Sequence, residues 1–412
     1  MLAAFYYSIS NAFHRDNLQP QERPFVSVLI PAWNEEVGIM KTIHSVLASD
    51  YSHFEVIVIN DGSTDKTHAL ISDFLTEHKH SSASTIEFKY LKLQNGGKAK
   101  ALNAGIQRAG GEIIVTLDAD SIMDPQMISN MVNQFQSDQV AAVAGNVIIG
   151  NRRKPIEFMQ QLEYLYGFFF KRADSIFNSV YIIGGAAAAY RKHVLDTLGG
   201  FDDNIITEDI EMSTRILSMG YKTRYAADAV VYTEGPSDWK SLCNQRLRWK
   251  FGRLLTFIKH KKLFFSTHKK HNPYLSFLVL PIAIYSEFLL LFEGILLSIF
   301  YGYTIYTFDY FPLVIVVCLL ASVTGLQILL DSKRRNHMNL ILLAPVAWIV
   351  FYFVDLVEFQ ALCRSLKKLK KREELQWQKW VRVGISHASV TPLYPQSLEL
   401  PVGNEQISSH KH

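Results

Sequence analysis

Three apolar runs fill much of the C-terminal third of the sequence, at residues 274–300, 311–330 and 339–361, and each is long enough to cross a bilayer as a helix. Buried core helices are the alternative, but three runs in succession, rimmed by Lys and Arg and by Trp and Tyr, fit a membrane better. The basic residues gather at the borders, in KHKKLFFSTHKK (259–270), KRR (333–335) and RSLKKLKKR (364–372). Glu287, Glu293, Asp355 and Glu358 fall inside the runs, where an ionisable group facing lipid is costly. They are expected to face a pore or the interior of the helix bundle, with positions near the interfaces as the other choice. If the rest of the chain is cytoplasmic, three complete spans leave the basic tail outside, against the positive-inside tendency. Either one run is interfacial or re-entrant, with Glu287, Glu293 and Pro345 as candidate interruptions, or the tendency fails here.

Ahead of these runs the sequence reads as a different kind of protein. From Pro24 to about Leu255, short β-rich segments alternate with helical patterns, as in an α/β domain with a mainly parallel sheet. FVSVLI, FEVIVIN, IEFKYLKL and EIIVTLDAD are expected strands. VGIMKTIHSVL, with Val37, Met40, Ile43 and Leu47 on one face, is an expected helix, as are DKTHALISDFL and GKAKALNAGIQRA. The organisation expected is an N-terminal stub (1–23), either an interfacial helix or the remnant of a longer anchor, the α/β domain (24–255), a basic interfacial linker (256–272), a membrane region of about three helices (273–363) and a basic, then polar tail (364–412). The stub is too short to span and has no basic start or cleavage site, so it is a poor signal peptide. A net charge of +4 does not argue for nucleic acid. Cys243, Cys318 and Cys363 are widely spaced, which suggests neither a disulfide framework nor a zinc site.

Carboxylates stand at the ends of the expected strands. Asp61 closes a buried strand in VINDGSTD, where open α/β sheets bind ligands, whereas Asp65 is better read as a turn or cap residue. Asp118 and Asp120 close another as LDAD. If the chain stays extended there, a spacing of two sends both to one face, and two hard oxygen ligands suit Mg²⁺ or Mn²⁺ and hence a diphosphate. Asn95, Gly96, Gly97 and Lys98 precede a helix and offer a flexible approach and one cation to an anionic ligand. In QRLRW, Gln245, Arg248 and Trp249 share a helix face at i, i+3 and i+4, while Arg246 points elsewhere. Arg supplies a fork for phosphate oxygens, Gln a neutral donor and Trp a flat surface for a sugar ring. A structural role is available for GGFDDNIITEDIEMSTRI, residues 199–216: Thr207 can cap a helix whose first turn holds Glu208, Asp209 and Glu211.

In order along the chain, PAWNEE (31–36), VINDGSTD (58–65), GGKAKALN (96–103), LDAD (117–120), ITED (206–209) and QRLRW (245–249) resemble the processive, membrane-embedded members of glycosyltransferase family 2. Among them the poly-β-1,6-N-acetylglucosamine synthases look closest, with hyaluronan, chitin and cellulose synthases more distant. The resemblance implies a GT-A fold that uses a UDP-sugar with Mg²⁺ or Mn²⁺. Carried over, it places Asp61 at the uracil, Lys98 and Asp118 at the nucleotide, and Asp120, with Asp118, at the metal. Gln245 and Arg248 would contact the diphosphate, and Glu208 and Trp249 the acceptor. Asp209 would be the general base, with Asp202, Asp203 and Glu211 left to solvated or capping roles. Gly184 and Gly185 would let an acceptor chain pass closely, or serve the packing of a buried segment.

The function expected from this resemblance is inverting, processive polymerisation of N-acetylglucosamine from UDP-N-acetylglucosamine into a surface or extracellular polysaccharide. The alternatives are a non-processive transferase acting on a lipid acceptor, a synthase of another β-glycan, or a non-catalytic membrane scaffold. The expected location is the cell membrane, multi-pass, with the catalytic domain cytoplasmic and in contact with lipid. Relatives of this type usually carry a complete membrane segment or two ahead of the domain, where this sequence shows a stub. A small membrane partner subunit or a homo-oligomer is therefore expected to complete the pore.

Overall fold

A computed structural model describes residues 1–14, 23–80, 86–331, 333–375, 380 and 382–385. Among these, eight strands form one mixed sheet in the order β3-β2-β1-β4-β7-β6-β8-β5. Its first half, β1 (Val26–Ala32), β2 (Phe54–Asp61), β3 (Glu87–Leu93) and β4 (Ile113–Thr116), is parallel. The second half comprises β5 (Ser121–Met123), β6 (Val140–Ile149), β7 (Ala188–Arg191) and β8 (Lys222–Thr233). Here β7 runs antiparallel to both β4 and β6, and β5 antiparallel to β8, while β6 and β8 are parallel.

Strands β1 and β2 are almost uninterrupted runs of buried residues because helices cover both faces. On one face Val28 and Ile30 pack with Ile39 and Ile43 of α2 (Ile39–Leu47), Ile71 of α3 (Thr67–His80) and Met131 of α5 (Met127–Val132). On the other, Leu29, Ile57 and Ile59 meet Leu102 and Ile106 of α4 (Lys98–Arg108), Leu195 of α7 (Lys192–Leu198) and Met212 and Ile216 of α8 (Glu208–Ser218). Alternate residues of one strand thus feed two cores. After β1 the chain moves to β2 on one side, and β4 arrives on the other, so a crevice opens at the carboxyl ends of β1 and β4.

The long helix α6 (Pro155–Ile176) packs this domain against the long apolar helices of the C-terminal third. Its Leu162 and Leu165 pack with Ile328, Leu340 and Ala347, and its Met159 with Val354 and Val357. Its Arg172 is ion-paired at 2.9 Å with Asp331, both nearly inaccessible, and removal of one partner from such a pair costs about 3–5 kcal/mol. The N-terminal helix α1 (Leu2–His14) also docks on α6, with Phe5 edge-on to Phe169 and the Tyr7 hydroxyl donating to the Tyr225 carbonyl at 2.6 Å.

Three segments are long and apolar enough to cross a membrane: Leu275–Thr307, Phe311–Leu330 and Arg334–Lys371. The first begins as π-helix over Leu275–Val279 and continues as α10 (Leu280–Thr307). Pro281 offers no N–H to the turn before it, and the wider π turn accommodates that loss. The second is α11 (Phe311–Leu330). The third, expected as one run over 339–361, is 3₁₀-helical from Arg334 to Val346, where Pro345 interrupts the α-helical ladder, and becomes α12 (Ala347–Lys371) only afterwards. Much of the apolar surface faces outward, as with Ile299 and Leu356, both more than 60 % exposed. The elements also overrun the expected boundaries: α9 (Trp239–Lys259) continues past residue 255 and α12 past residue 363. The tail after residue 385 lies outside the described residues.

Candidate active site

The crevice deepens into a cleft of about 1350 Å³, lined by every candidate site residue: Asp61, Lys98, Asp118, Asp120, Glu208, Asp209, Gln245, Arg248 and Trp249. At one end Asp61, 4 % exposed, accepts from the Gly96 amide at 2.8 Å and the Gly97 amide at 2.9 Å, one on each carboxylate oxygen. Asp61 therefore shapes the loop that starts α4, and any ligand would share its oxygens with those amides. Asp65 accepts from the Thr67 amide at 2.9 Å, a turn role. Lys98, the first residue of α4, reaches back to Asp118 Oδ1 at 2.5 Å and stands 3.6 Å from Glu208 Oε1. Burial alone would lower its pKa, but Asp118, Glu208 and Asp209 together raise it, so the ammonium stays charged.

Asp118 and Asp120 do not sit on extended chain. Strand β4 ends at Thr116, and a turn follows in which the Ser121 amide donates to the Asp118 carbonyl at 3.1 Å. The turn lets β5 leave toward β8, and it gives the two carboxylates separate partners: Lys98 for Asp118, and for Asp120 the Ser121 hydroxyl at 3.1 Å and Arg382 Nη2 at 2.6 Å. Among the described residues no group of three or more His, Cys, Asp or Glu side chains could hold a metal. Two carboxylates facing one cleft, each already drawing a cationic side chain, nevertheless fit a hard cation whose other ligands come from phosphate and water.

On the opposite wall, Thr207 occupies the N-cap position of α8, yet its side chain makes no capping bond. Its hydroxyl is instead wedged against α9, where a Cβ added to Gly252 would stand 2.2 Å away. Gly252→Ala is therefore expected to destabilise the chain by about 1–3 kcal/mol, as overpacking does, and to push α8 off its seat; an unchanged melting temperature would contradict this. Asp209 is fixed by two backbone donors, the Gly185 amide on Oδ2 and its neighbour Ile210 on Oδ1, both at 2.8 Å. A Cβ on Gly185 would come within 2.6 Å of Lys98 Nζ, so a side chain there would displace the end of the lysine. Around Gly184 there is open space.

Glu211 departs from the solvated or capping role expected of it. It is fully buried and paired with Arg215 and Lys259 at 2.7 Å and His260 at 3.0 Å, which ties α8 to the end of α9. Asp202, paired with the same Lys259 at 2.5 Å, is only 18 % exposed, whereas Asp203 is open to solvent. Burial raises the Glu208 carboxyl to about 7, against the pull of Lys98 and with the push of Asp209. An unperturbed glutamic acid titrates near 4.5, so the folded chain holds a proton there that the unfolded chain has released. That contribution to stability is complete below about pH 4.5 and is lost as pH rises through 7. Glu208→Gln is expected to flatten the pH dependence of thermal unfolding across this window, and a slope equal to that of the wild type would contradict the assignment.

Helix α9 presents Gln245, Arg248 and Trp249 to the cleft and turns Arg246 away from it. Burial lowers the Arg248 pKa while Glu208, Asp209 and Asp118 raise it, so the acidic group that Lys98 meets also acts on Arg248. Trp249 lies against Tyr164, with ring centroids 6.3 Å apart. At the far end the cleft shares Phe170, Asp174, Tyr181, Lys250, Arg253 and Glu358 with a second cavity of about 570 Å³. Its remaining wall comes from Tyr274, the π-helical turn, α10 and α12, and includes Glu287, Glu293 and Asp355. Lys250 bridges Glu287 at 2.9 Å and Glu358 at 2.5 Å, and Arg253 also pairs with Glu287. The carboxylates inside the apolar runs thus face protein and cavity.

Several lining residues carried no role in the sequence reading. Arg382, from the tail, joins Asp120 to Glu35 at 3.1 Å, and the Val383 and Gly384 amides donate to Glu234 at 2.7 and 2.9 Å. Lys171 and Asp174 stand on α6, where burial lowers the first to about 8 and raises the second to about 6. Glu35 was visible within PAWNEE; nothing local in the sequence marked the others.

Residues 23–252 match the family model described as glycosyltransferase like family 2. The chain is similar to a poly-β-1,6-N-acetyl-D-glucosamine synthase of Staphylococcus epidermidis, 28 % identical over 387 residues that cover 89 % of this chain and 90 % of the relative. It is also similar to the probable glycosyltransferase YdaM of Bacillus subtilis, 27 % identical over 367 residues, covering 87 % and 78 %. Among solved structures, the mannosyltransferase PcManGT from Pyrobaculum calidifontis, in complex with GDP-Man and Mn²⁺, superposes with a TM-score of 0.56 at 21 % identity, covering 90 % of this chain and 96 % of that one. That likeness shows the fold, of GT-A type.

Proposed function

The chain belongs to glycosyltransferase family 2, and from that premise we propose that it is an inverting, processive β-glycosyltransferase that extends a poly-N-acetylglucosamine chain from UDP-N-acetylglucosamine and feeds it toward the membrane. The observation that carries the reading is that the charged cleft adjoins a second cavity, walled in part by the long apolar helices, with six lining residues common to both. A growing chain would pass between these shared residues into the second cavity, whereas a small released product would need no such passage. The name of the Staphylococcus epidermidis relative supports the choice of sugar.

The donor's base would lie at Asp61 and its diphosphate between Lys98, Arg248 and Gln245. Trp249 and Glu208 would hold the acceptor sugar. Asp209, oriented by the Gly185 and Ile210 amides, takes the proton from the acceptor hydroxyl as that oxygen bonds to the anomeric carbon. The bond from that carbon to the diphosphate breaks, and UDP leaves with the electron pair while Lys98 and Arg248 offset its charge. A Mg²⁺ or Mn²⁺ ion held by Asp120 and Asp118 would add to that stabilisation. The catalytic domain is placed in the cytoplasm, where nucleotide-sugars are made, with α10–α12 in the cell membrane beside lipid; a partner subunit or second copy would complete the pore. The residue ranges 24–255 and 273–363 remain our divisions for catalytic and membrane parts.

The donor is tested by offering membranes that contain the protein a panel of labelled UDP-sugars. Incorporation from UDP-N-acetylglucosamine at least tenfold above UDP-glucose and UDP-glucuronic acid is expected. Preference for either of the others would move the assignment to a different β-glycan.

A further inference from the structure

Arg246 is the residue of QRLRW that faces away from the cleft, and it is the largest fully buried side chain of the molecule among the described residues, 1 % exposed. Each part of its guanidinium is engaged. Nη2 pairs with Glu163 of α6 at 2.5 Å, and Nε stands 3.4 Å from Glu358 of α12. Nη1 donates to Gln245 Oε1 at 3.1 Å, and the guanidinium carbon lies 4.3 Å from the centre of the Trp249 ring. Gln245 and Trp249 both line the cleft.

Two consequences follow from the chemistry of arginine. It has donors and no acceptor, so Gln245 must present its oxygen to Arg246, which leaves the amide nitrogen as the end that donates to a ligand. Its planar cation also lies against the indole ring and restrains the plane of Trp249. The geometry points to Arg246 as a positioning residue that sets both the polarity of the Gln245 amide and the plane of the Trp249 platform. Because its anchors come from α6 and from membrane helix α12, the platform keeps register with the entrance to the membrane cavity. The inference rests on the reading of Trp249 as an acceptor contact and Gln245 as a diphosphate contact.

Arg246→Lys keeps a charge beside Glu163 and Glu358 but loses the planar fork. In the full-length protein in lipid nanodiscs, with a short β-linked N-acetylglucosamine oligosaccharide as acceptor, this variant is expected to raise the acceptor KM about tenfold. Its kcat should stay within about threefold, and its UDP affinity should fall only about threefold. In a Trp249→Ala background, Arg246→Lys should change the acceptor KM by less than about twofold, because the residue through which it acts is gone. Glu163→Gln, which leaves Arg246 in place and loosens its anchor, should give a weaker form of the same KM effect and serves if the lysine variant does not fold. Additive effects of Arg246→Lys and Trp249→Ala, or a loss confined to kcat, would overturn the positioning role. A wild type that elongates no oligosaccharide while binding UDP would overturn the acceptor reading, and this inference with it.

Discussion

Asp209→Asn is expected to lower glycosyl transfer by about 10²–10⁴-fold, the range over which a positioned general base contributes. The substitution preserves size and position near Gly185 and Ile210 while removing the ability to take a proton. One of the two amide bonds now on Asp209 must weaken, because the new NH₂ group cannot accept from an N–H donor. The diphosphate contacts proposed for Lys98, Arg248 and Gln245 are left intact, so UDP affinity should stay within a few-fold. Loss of the charge also relieves the repulsion that helps raise Glu208, whose pKa should fall. Single-turnover transfer beside calorimetric titration with UDP checks both halves. Transfer within tenfold of the wild type, or UDP affinity lost in parallel, would remove Asp209 from the role of base.

Asp120→Ala is expected to reduce kcat/KM by at least about 10²-fold and to abolish the Mn²⁺ dependence of UDP binding, since a cation at the leaving group is worth several kcal/mol. The same variant takes from Arg382 the closer of its carboxylate partners, leaving Glu35. Arg382 is held charged by Asp120 and Glu35 against the effect of burial, so some loss of thermal stability should accompany the loss of activity. Paramagnetic resonance of Mn²⁺ titrated into the protein with UDP separates the two effects. Retained Mn²⁺ binding in a folded Asp120→Ala protein would show that the cation is held elsewhere.

Much of this architecture was legible because parallel strands buried on both faces write themselves as apolar runs, and α2 and α4 carry a clear helical period. Asp61, Lys98, Asp118 and Asp209 were legible for a related reason: they stand near strand ends and helix starts, where open α/β sheets gather ligands. What escaped was tertiary. The turn at Asp118 to Asp120 follows from where β5 must go to meet β8, a pairing 112 residues distant for Ser121 and Thr233. Thr207 has the composition of a cap, but the close approach of Gly252 claims its side chain for packing. Glu211 looks solvated in a cluster of acids until Lys259 and His260 fold over it from another helix. Glu234 accepts from the Val383 and Gly384 amides some 150 residues further along the chain, at a separation that no local spacing announces.

The size of the product tests the central claim most directly. Membranes containing the wild-type protein are supplied with labelled UDP-N-acetylglucosamine and Mg²⁺ or Mn²⁺, and the product is sized and treated with a hexosaminidase beside the Asp209→Asn variant. A long, hexosaminidase-sensitive polymer present only with the wild type is the result predicted for the proposed passage of the chain from the cleft toward the membrane. A short product that partitions into organic solvent would contradict it and assign the chain to the glycosylation of lipids.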